Sequence, residues 1–519
     1  MTRNAFFSMI MLPLIAASIA SAQSVNSGSI TLMPQFDQTV DTRPNVLGHN
    51  MTGKDWHGIK GDIPVFFNPK LGKVDPAWMP LITAFDLHLL RLHWGNKYPW
   101  KDSVGPLSQR KSIEHEMWNA HYRTEAGLDE YLRFFQSLPN APALTLIASP
   151  LRPTQELADL VAYCNSTTGP MADMRKANGH AAPYNIRYWE MGNEIDYKKR
   201  ADVDVMRADT EKEKREKHSV NDYLQLVTPR ITAMKVVDPT IKIFVHAQTA
   251  PWYNHNPDWP QWHQTLLKQI GDQIDGIVIH PYYDGYSVTT CLKSVDQVID
   301  DITKYGPKDR DITVWVNEHA RWVNYRKPDE RPQSWSLQGA ISSADFLMRL
   351  MQRPGVGMAN YWCFGHRGPW RVINANWEQG GDQKFGTAIH GMFRIFNAAL
   401  LPKATPIALT NAQFNSDHFA YEYPMTAMLF TDPDSKAVSL LVSNRVPDSD
   451  FTANIKLPML PNSQATFMQL TGESLRSTNV PVTPEATVVS QSTVTTTQDA
   501  AGNVQLTIPA KSVVMWQWQ

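Results

Sequence analysis

The sequence contains few cysteines, and its net charge is close to zero. Its 519 residues include three cysteines, Cys164, Cys291 and Cys363. Their odd number and wide spacing predict buried free thiols rather than a disulfide framework or a metal site. The formal net charge of -1 gives no overall attraction to nucleic acid or to an anionic membrane. The chain also lacks a Gly-rich phosphate loop after its first strand and a G-x-S-x-G elbow, which argues against dinucleotide binding and against serine-hydrolase chemistry.

Long hydrophobic runs are absent from the sequence after its N-terminus. Residues 1–22 combine Arg3, the apolar stretch AFFSMIMLPLIAASIA and the small-residue pattern Ala20-Ser21-Ala22 before Gln23, which is typical of a secretory signal peptide. This apolar run is short for a membrane span, and no later run approaches one. We therefore expect residues 1–22 to be removed, the mature protein to be periplasmic or secreted, and no membrane partner.

Short apolar runs alternate with amphipathic helical patterns over residues 43–398. Continuous apolar strands separated by helices indicate parallel strands that are covered on both faces. Eight such units predict an α/β fold, a (β/α)8 TIM barrel. The eight runs, in chain order, are NVLGHNM, LHLLRLHWG, ALTLIAS, IRYWEMGNE, IKIFVHAQ, GIVIHPYY, ITVWVNEHA and GVGMANYWC.

The pattern changes to alternating apolar and polar residues over residues 399–519. Stretches such as AVSLLVSNR and TANIKLPML are separated by Asp, Pro, Asn and Gly, which is typical of antiparallel strands. We predict a C-terminal antiparallel β-sandwich domain there. The N-terminal segment 23–42, with its stretch SGSITLMPQ, is a candidate for one further strand of this sandwich.

Polar residues cluster where the predicted barrel strands end. Functional groups of (β/α)8 barrels lie at the carboxyl ends of the strands, so these residues are candidates for one site. From strand two to strand eight they are Arg91, His93, Trp94, Asn96, Asn193, Glu194, His246, Gln248, His280, Tyr282, Tyr283, Asn317, Glu318, Asn360 and Trp362.

Two carboxylates stand out in this group, Glu194 after strand four and Glu318 after strand seven. These strands lie on opposite sides of a barrel mouth, so the two acids can converge on a substrate. Glycoside hydrolysis needs such a pair, one acid to protonate the leaving oxygen and the other to attack the anomeric carbon or to activate water. A metal site would need closely spaced His ligands or clustered acids, and neither appears. We therefore predict a carbohydrate substrate, no metal and no cofactor.

A long run before Glu194 carries a family resemblance. The segment DLVAYCNSTTGPMADMRKANGHAAPYNIRYWEMGNE resembles the run that leads to the general acid/base in glycoside hydrolase family 51, the α-L-arabinofuranosidases. The segments RLHWGNKYPWKDSVGP, IHPYY and VWVNEHARW are similar to further parts of that family's barrel. The resemblance implies a retaining (β/α)8 hydrolase of the clan with its acid/base on strand four and its nucleophile on strand seven.

Residue roles follow from this resemblance at the matching positions. It implies that Glu194 is the acid/base and Glu318 the nucleophile, that Tyr282 donates a hydrogen bond to the nucleophile, and that His280 supports the site. It further implies that Asn193 binds the sugar hydroxyl next to the anomeric carbon, and that Arg91 and Asn96 contact sugar hydroxyls or orient the carboxylates.

The sequence departs from the family pattern around the expected sugar site. His93-Trp94-Gly95 replaces Pro-Gly-Gly, Thr52-Gly53 replaces Glu-His, and Asn317 and His319 flank the nucleophile where the family has Asp and Trp. These changes alter the expected walls but keep both acids. Four residues suggest a wall for another, longer glycan, and Trp362 is a further substrate-binding candidate; the four are His93, Trp94, Trp100 and Trp370.

The function that we predict is a secreted retaining hydrolase with α-L-arabinofuranosidase-like activity on plant-type polysaccharide or oligosaccharide. The alternatives are an endo-acting β-glycanase of the same clan on a plant or algal polysaccharide, and a non-catalytic carbohydrate-binding protein. The sequence leaves the oligomeric state undefined.

Overall fold

The structure is a computed structural model, which describes residues 29–52, 65–68, 70–96, 98–114, 121–122, 124–198, 216–217, 219–248, 258–324, 327–366, 368–375, 384–410, 422–480 and 487–519. The expected signal peptide, residues 1–22, lies outside this set. Within the described part of the chain, no helix has the length and apolar character that crossing a membrane requires.

Eight parallel strands close into a barrel, as the apolar runs predict. Each strand pairs with its neighbour in the chain, and strand eight pairs with strand one. The prediction of a TIM barrel is therefore confirmed. Barrel strands one to eight are Gly48–Thr52, Leu89–His93, Ala143–Ile147, Tyr188–Glu190, Lys242–His246, Gly276–Val278, Thr313–Arg321 and Val356–Tyr361.

Helices cover the outside of the barrel, and polar residues fix several of their ends. Ser219 caps the helix after strand four, because its hydroxyl accepts a hydrogen bond from the Asp222 amide at 3.1 Å while the Asp222 carboxylate accepts from the Ser219 amide at 2.9 Å. In chain order the helices are Met79–Ile82, Leu128–Gln136, Thr154–Asn165, Pro170–Ala177, Val220–Val237, Trp259–Ile270, Val288–Tyr305, Leu337–Met351 and Ala388–Ala399.

A compact apolar layer fills the barrel interior. Residues of strands two, five, six, seven and eight contact one another across the barrel, so they must lie inside it; they are Leu89, Phe244, Val278, Trp315 and Met358. The ring of Trp315 packs edge-on against Phe244, with centroids 4.6 Å apart. Its indole nitrogen donates a hydrogen bond to Asn360 Oδ1 at 2.7 Å, which satisfies the one polar atom of the ring.

The C-terminal region forms one continuous, mainly antiparallel sheet. Strands from its two halves share a single apolar core, in which Phe451 and Ile508 cluster with Leu440 and Trp516, so the sheet folds over on itself. Strand Ser29–Pro34 lies inside this sheet and pairs in parallel with Phe451–Lys456. In spatial order the main strands are Val488–Thr495, Gln464–Thr471, Ser512–Trp518, Val438–Asn444, Met425–Thr431, Lys403–Leu409, Ser29–Pro34, Phe451–Lys456 and Asn503–Ile508, with Val40–Asp41 beside Lys403–Leu409.

The sheet packs against the two last helices of the barrel. Leu441, Leu470 and Met515 of the sheet belong to the same hydrophobic core as the barrel. Helix Leu337–Met351 is buried over nearly its whole length because it lies between the barrel and the sheet.

All three cysteines are buried free thiols, as expected. Burial raises the pKa of the Cys363 thiol to about 12, so this sulfur stays protonated and is a poor nucleophile at neutral pH.

Replacing Trp315 by Phe should lower the free energy of unfolding by about 1–3 kcal/mol, because Asn360 Oδ1 would lose its buried donor. Urea unfolding measures this change. Trp322→Phe is the control: its indole is 42 % exposed, so the cost should stay within about 0.5 kcal/mol. Equal costs for both changes would contradict this account of the barrel core.

Candidate active site

A single buried arginine organises the carboxyl ends of the barrel strands. Arg91 is fully buried and donates to both oxygens of Glu190, from Nε at 2.5 Å and from Nη2 at 2.9 Å. Its Nη1 donates to Glu318 Oε1 at 3.0 Å and to Asn50 Oδ1 at 2.8 Å. Its Nη2 also donates to Asn193 Oδ1 at 2.7 Å. The guanidinium thus joins strands one, two and seven to strand four and the turn after it.

The two predicted catalytic acids lie close together at this end of the barrel. One oxygen of Glu194, one of Glu318 and one ring nitrogen of His280 all lie within 4.8 Å of one another. His280 Nδ1 is 3.2 Å from Glu194 Oε1 and 3.7 Å from Glu318 Oε2. The Tyr282 hydroxyl donates to Glu318 Oε2 at 2.9 Å. Since the side chain of Glu194 is 29 % exposed and that of Glu318 only 7 %, Glu194 is the more open to solvent.

The turn after strand four explains the glycine before the acid. Gly192 has φ +87°, and a Cβ atom there would lie 2.9 Å from Pro150 Cδ, so a side chain would be both strained and crowded. Glu194 itself has φ +47°, an uncommon conformation for a non-glycine residue. Asn96 holds the turn: its Oδ1 accepts from the Asn193 amide at 2.8 Å, and its Nδ2 donates to the Asn193 carbonyl at 2.7 Å.

The protonation states of the groups around the two acids follow from burial and neighbouring charge. Burial opposes the charged form of His280, but the Glu318 and Glu194 carboxylates outweigh it and raise the His280 pKa. Burial, reinforced by Glu318, raises the Tyr282 pKa well above its usual range, so Tyr282 remains a donor. Burial would raise the Glu190 pKa, but Arg91 and a hydrogen bond from His246 hold it well below its usual range. Glu190 is therefore an ionised partner of Arg91.

Two residues at the centre of the site received no role from the sequence. Asn50, on strand one, accepts from Arg91 and donates to the Asn317 carbonyl at 2.7 Å. His246, noted only as a polar strand end, lies with Nε2 2.5 Å from Glu190 Oε1. The strand-end inventory began at strand two; a polar Asn near the end of the first run was the available signal for Asn50.

Two residues that were predicted to line the sugar site are buried among the loops that follow the barrel strands. Trp94 is 7 % exposed and stacks on Tyr98 with centroids 5.0 Å apart. Trp100 is 1 % exposed, and its indole donates to the Glu156 carbonyl at 3.1 Å. Because neighbouring aromatic and apolar side chains cover both rings, little of either is left for a sugar. His93 and Trp362 are also buried and meet edge-on, with centroids 5.6 Å apart.

An aromatic wall beside Glu318 comes from other residues. Tyr282 packs against Trp370, with centroids 5.6 Å apart, and against Trp322 at 6.1 Å. The two indoles lie 6.0 Å apart, and the Trp370 indole nitrogen donates to the Arg321 carbonyl at 2.7 Å. We call Tyr282, Trp322 and Trp370 the aromatic rim. Trp370 was a predicted wall residue; Trp322, four residues beyond Glu318, was not singled out.

Two groups of side chains have the composition of a metal site. The sets Glu190, His246, His280 and Glu194, His280, Glu318 each bring three ligand atoms within 4.8 Å of one another. Neither group was predictable from sequence spacing, because its members come from different strands. Glu190 is already bonded to Arg91 and His246, and the second set consists of the two candidate catalytic acids and the imidazole between them.

A (β/α)8 barrel with two close carboxylates at its mouth is similar to the arrangement on which many glycoside hydrolases rely. Within that class the chain is similar to the family 51 arabinofuranosidases. Residues 88–269 match the Alpha-L-arabinofuranosidase 1 domain, which confirms the resemblance predicted from the sequence.

Individual relatives agree with this domain match. The intracellular exo-α-(1→5)-L-arabinofuranosidase of Acetivibrio thermocellus is 26 % identical over 265 residues, 48 % of this chain and 49 % of that protein. The probable α-L-arabinofuranosidase C of Aspergillus fumigatus is 30 % identical over 305 residues, 54 % and 57 % of the two chains. The chain thus spans about half the length of the curated relatives that it matches.

Solved structures extend the likeness in fold to nearly the whole chain. The family 51 arabinofuranosidase of Thermotoga petrophila has a TM-score of 0.76 at 19 % identity, covering 94 % of this chain and 100 % of that one. The family 51 enzyme AbfB of Bifidobacterium longum has a TM-score of 0.78 at 19 % identity, covering 95 % and 99 %. The likeness in fold therefore extends over both the barrel and the sheet region of this chain.

The raised pKa of His280 predicts how its contribution to stability depends on pH. A histidine whose folded-state pKa exceeds the ordinary 6.5 stabilises the fold fully below that ordinary pKa, and this gain is lost as the pH rises through the folded pKa. The difference in unfolding free energy between the wild type and His280→Gln should therefore be largest near pH 5.5 and shrink above neutral pH, as measured by urea unfolding.

His319→Gln provides a control with the opposite sign. Burial lowers the pKa of His319 from 6.5 to about 3, so the unfolded chain binds the extra proton between these two pH values. The stability that this histidine contributes therefore rises with pH over that range and levels off above it. The same trend with pH in both variants would contradict the raised pKa of His280 beside the two acids.

Proposed function

We propose that the protein is a retaining glycoside hydrolase with α-L-arabinofuranosidase-like activity on plant-type polysaccharide or oligosaccharide. The observation that carries the mechanism is the approach of one oxygen of Glu194 and one of Glu318 to within 4.8 Å. Retaining enzymes hold their two carboxyl groups about 5–5.5 Å apart, whereas inverting enzymes leave about 6.5–9.5 Å for a water molecule. The 4.8 Å limit refers to the nearest oxygens, which lie closer together than the two carboxyl groups as a whole. The approach is thus compatible with the retaining separation and supports double displacement.

In the first step, Glu318 attacks the anomeric carbon while Glu194 gives its proton to the leaving oxygen. Arg91 and Tyr282 each donate a hydrogen bond to a different oxygen of Glu318, which fixes the orientation of the attacking carboxylate. In the second step, the Glu194 carboxylate takes a proton from water, and the resulting hydroxide displaces Glu318 from the sugar. His280 lies beside both acids and balances the negative charge that moves onto Glu194.

The assignment to arabinofuranose is supported by the relatives, which are named as α-L-arabinofuranosidases. The aromatic rim supports a sugar substrate more generally, because the C–H faces of sugar rings stack on aromatic rings and this rim adjoins the nucleophile.

An endo-acting β-glycanase is the second candidate. The exposed indole of Trp322 extends the aromatic rim outward, and such a surface suits a longer glycan chain. Analysis of products over time separates the two candidates, since an exo-acting arabinofuranosidase releases single sugars while an endo-acting enzyme releases oligosaccharides. A non-catalytic carbohydrate-binding protein would bind glycans without releasing any product.

Glu318→Gln should reduce turnover to background, because an amide cannot form the glycosyl-enzyme. Glu194→Ala should lower kcat about 10²–10⁴-fold on poor leaving groups, much less on nitrophenyl glycosides, and azide should partly restore activity. Assays on nitrophenyl glycosides and on plant, algal and bacterial polysaccharides test both variants.

Glu156→Gln is the control for these changes. Glu156 pairs with Arg152 on an outer helix of the barrel, so its amide variant should keep wild-type kcat. Full turnover by Glu318→Gln would refute the nucleophile assignment, and glycan binding without hydrolysis by the wild type would favour the non-catalytic alternative.

We also propose that the protein is exported and that residues 1–22 are its signal peptide. Expression of the full chain in a Gram-negative host should give a periplasmic or secreted protein whose N-terminal residue is Gln23, as read by intact mass spectrometry of cell fractions. A variant that lacks residues 2–22 should stay in the cytosol and serves as the control. A full-length cytosolic product from the complete chain would refute export and would agree with the curated relatives that are named intracellular.

A further inference from the structure

A buried ion pair joins the antiparallel sheet to the barrel. Arg445 follows strand Val438–Asn444 of the sheet, and its Nη2 donates to Asp345 Oδ2 at 2.6 Å on helix Leu337–Met351. The Asp345 side chain is 1 % exposed, and its second oxygen accepts a hydrogen bond from the Thr426 hydroxyl at 2.7 Å. The fork of the guanidinium leaves another nitrogen of Arg445 for a further partner.

That further partner is Ser342, one turn earlier on the same helix. Arg445 Nη1 donates to Ser342 Oγ at 3.1 Å, and Ser342 Oγ in turn donates to Asp284 Oδ2 at 2.6 Å. Asp284 also forms an ion pair with Arg321, at the end of strand seven. One fully buried hydroxyl therefore connects an ion pair of the sheet with an ion pair of the barrel mouth.

The second ion pair lies directly behind the aromatic rim. Asp284 follows Tyr282 and Tyr283, which pair in parallel with Ala320 and Arg321. Asp284 has φ +65°, an uncommon conformation for a non-glycine residue that its surroundings must hold in place. Since Tyr282 donates to Glu318, the position of Asp284 bears on the nucleophile.

Backbone hydrogen bonds transmit this position to the rest of the rim. The Trp322 amide donates to the Tyr283 carbonyl at 2.6 Å, and the Asp284 amide donates to the Tyr286 carbonyl at 2.6 Å. The Trp370 indole bonds to the Arg321 carbonyl. All three members of the rim are thus attached to the segment that the Asp284–Arg321 pair fixes.

We propose that Arg445 of the antiparallel sheet is a positioning residue for catalysis. It acts through Ser342, Asp284 and Arg321 and holds Tyr282 and the aromatic rim in place beside Glu318. Arg445 contacts no reacting group, so its effect on the reaction is indirect. The stability of buried charges depends strongly on complete hydrogen bonding. Removal of one bond from this series of hydrogen bonds therefore shifts the groups that follow it. The kinetic part of the proposal rests on the proposed hydrolase function, whereas the structural link does not.

Two variants interrupt this series of hydrogen bonds at different points without removing a charge. Ser342→Ala deletes the connecting hydroxyl and leaves both ion pairs formed. Arg445→Lys keeps the charge beside Asp345 but cannot contact Asp345 and Ser342 with a planar fork. Ser443→Ala is the matched control: Ser443 lies in the same interface, and its hydroxyl donates to the Ile341 carbonyl at 3.0 Å, next to Ser342.

Hydrogen exchange of backbone amides tests the structural link. The amides of Asp284 and Trp322 should exchange about 10-fold faster in Ser342→Ala and in Arg445→Lys than in the wild type, which corresponds to a coupling of the usual size. Ser443→Ala should leave both amides at the wild-type rate. Unchanged exchange in Arg445→Lys and Ser342→Ala, or an equal increase in Ser443→Ala, would overturn the proposal.

Kinetics test whether this link reaches the reaction. The value of kcat/KM should fall about 10-fold in Ser342→Ala and Arg445→Lys and stay unchanged in Ser443→Ala. In a Tyr282→Phe background the loss caused by Ser342→Ala should be smaller, because coupled residues are not additive. Faster exchange together with unchanged kcat/KM, or full additivity with Tyr282→Phe, would overturn the positioning role. If the wild type hydrolyses no glycan while the exchange effect appears, the proposed function fails and the structural link stands.

Discussion

The site depends on the neutralisation of one guanidinium inside the barrel. A fully buried arginine costs several kcal/mol unless its charge and its donors are matched. Arg91 meets this requirement with the carboxylates of Glu190 and Glu318 and with amide oxygens of Asn50 and Asn193. Because these partners come from strands one and seven, from strand four and from the turn after it, only the closed barrel supplies them all.

This requirement also separates the two acids of the strand-four segment. Both oxygens of Glu190 are bonded to Arg91, and one of them also to His246, so Glu190 has no proton to give. Glu194 lies beyond the tight turn at Gly192 and stays partly open to solvent. The turn thus places one acid in the buried charge network and presents the other beside His280, where it can exchange a proton.

Much of this arrangement was predictable, and its failures have a common physical cause. The eight strands and the polar residues at their ends were readable because strand ends follow from local patterns. The burial of Trp94 and Trp100 was not predictable, because a pattern tells where a strand ends, whereas the path of the next loop decides which way an indole points. For the same reason Trp322, four residues after Glu318, was overlooked although it forms part of the rim.

The sequence by itself determined the barrel and the residue types at its mouth. Strands that are buried on both faces must be continuously apolar. A polar residue among them is costly unless it has a hydrogen-bond partner, so such residues mark positions with a structural or functional role. Only the tertiary structure decided which of these residues meet. The contacts of His280 with both acids, the bonds of Asn50 to Arg91 and the link from Arg445 through Ser342 to Asp284 join residues far apart in the chain. A hydrogen bond forms only when the donor–acceptor distance lies within a few tenths of an ångström of about 2.9 Å. Local sequence patterns do not carry that information.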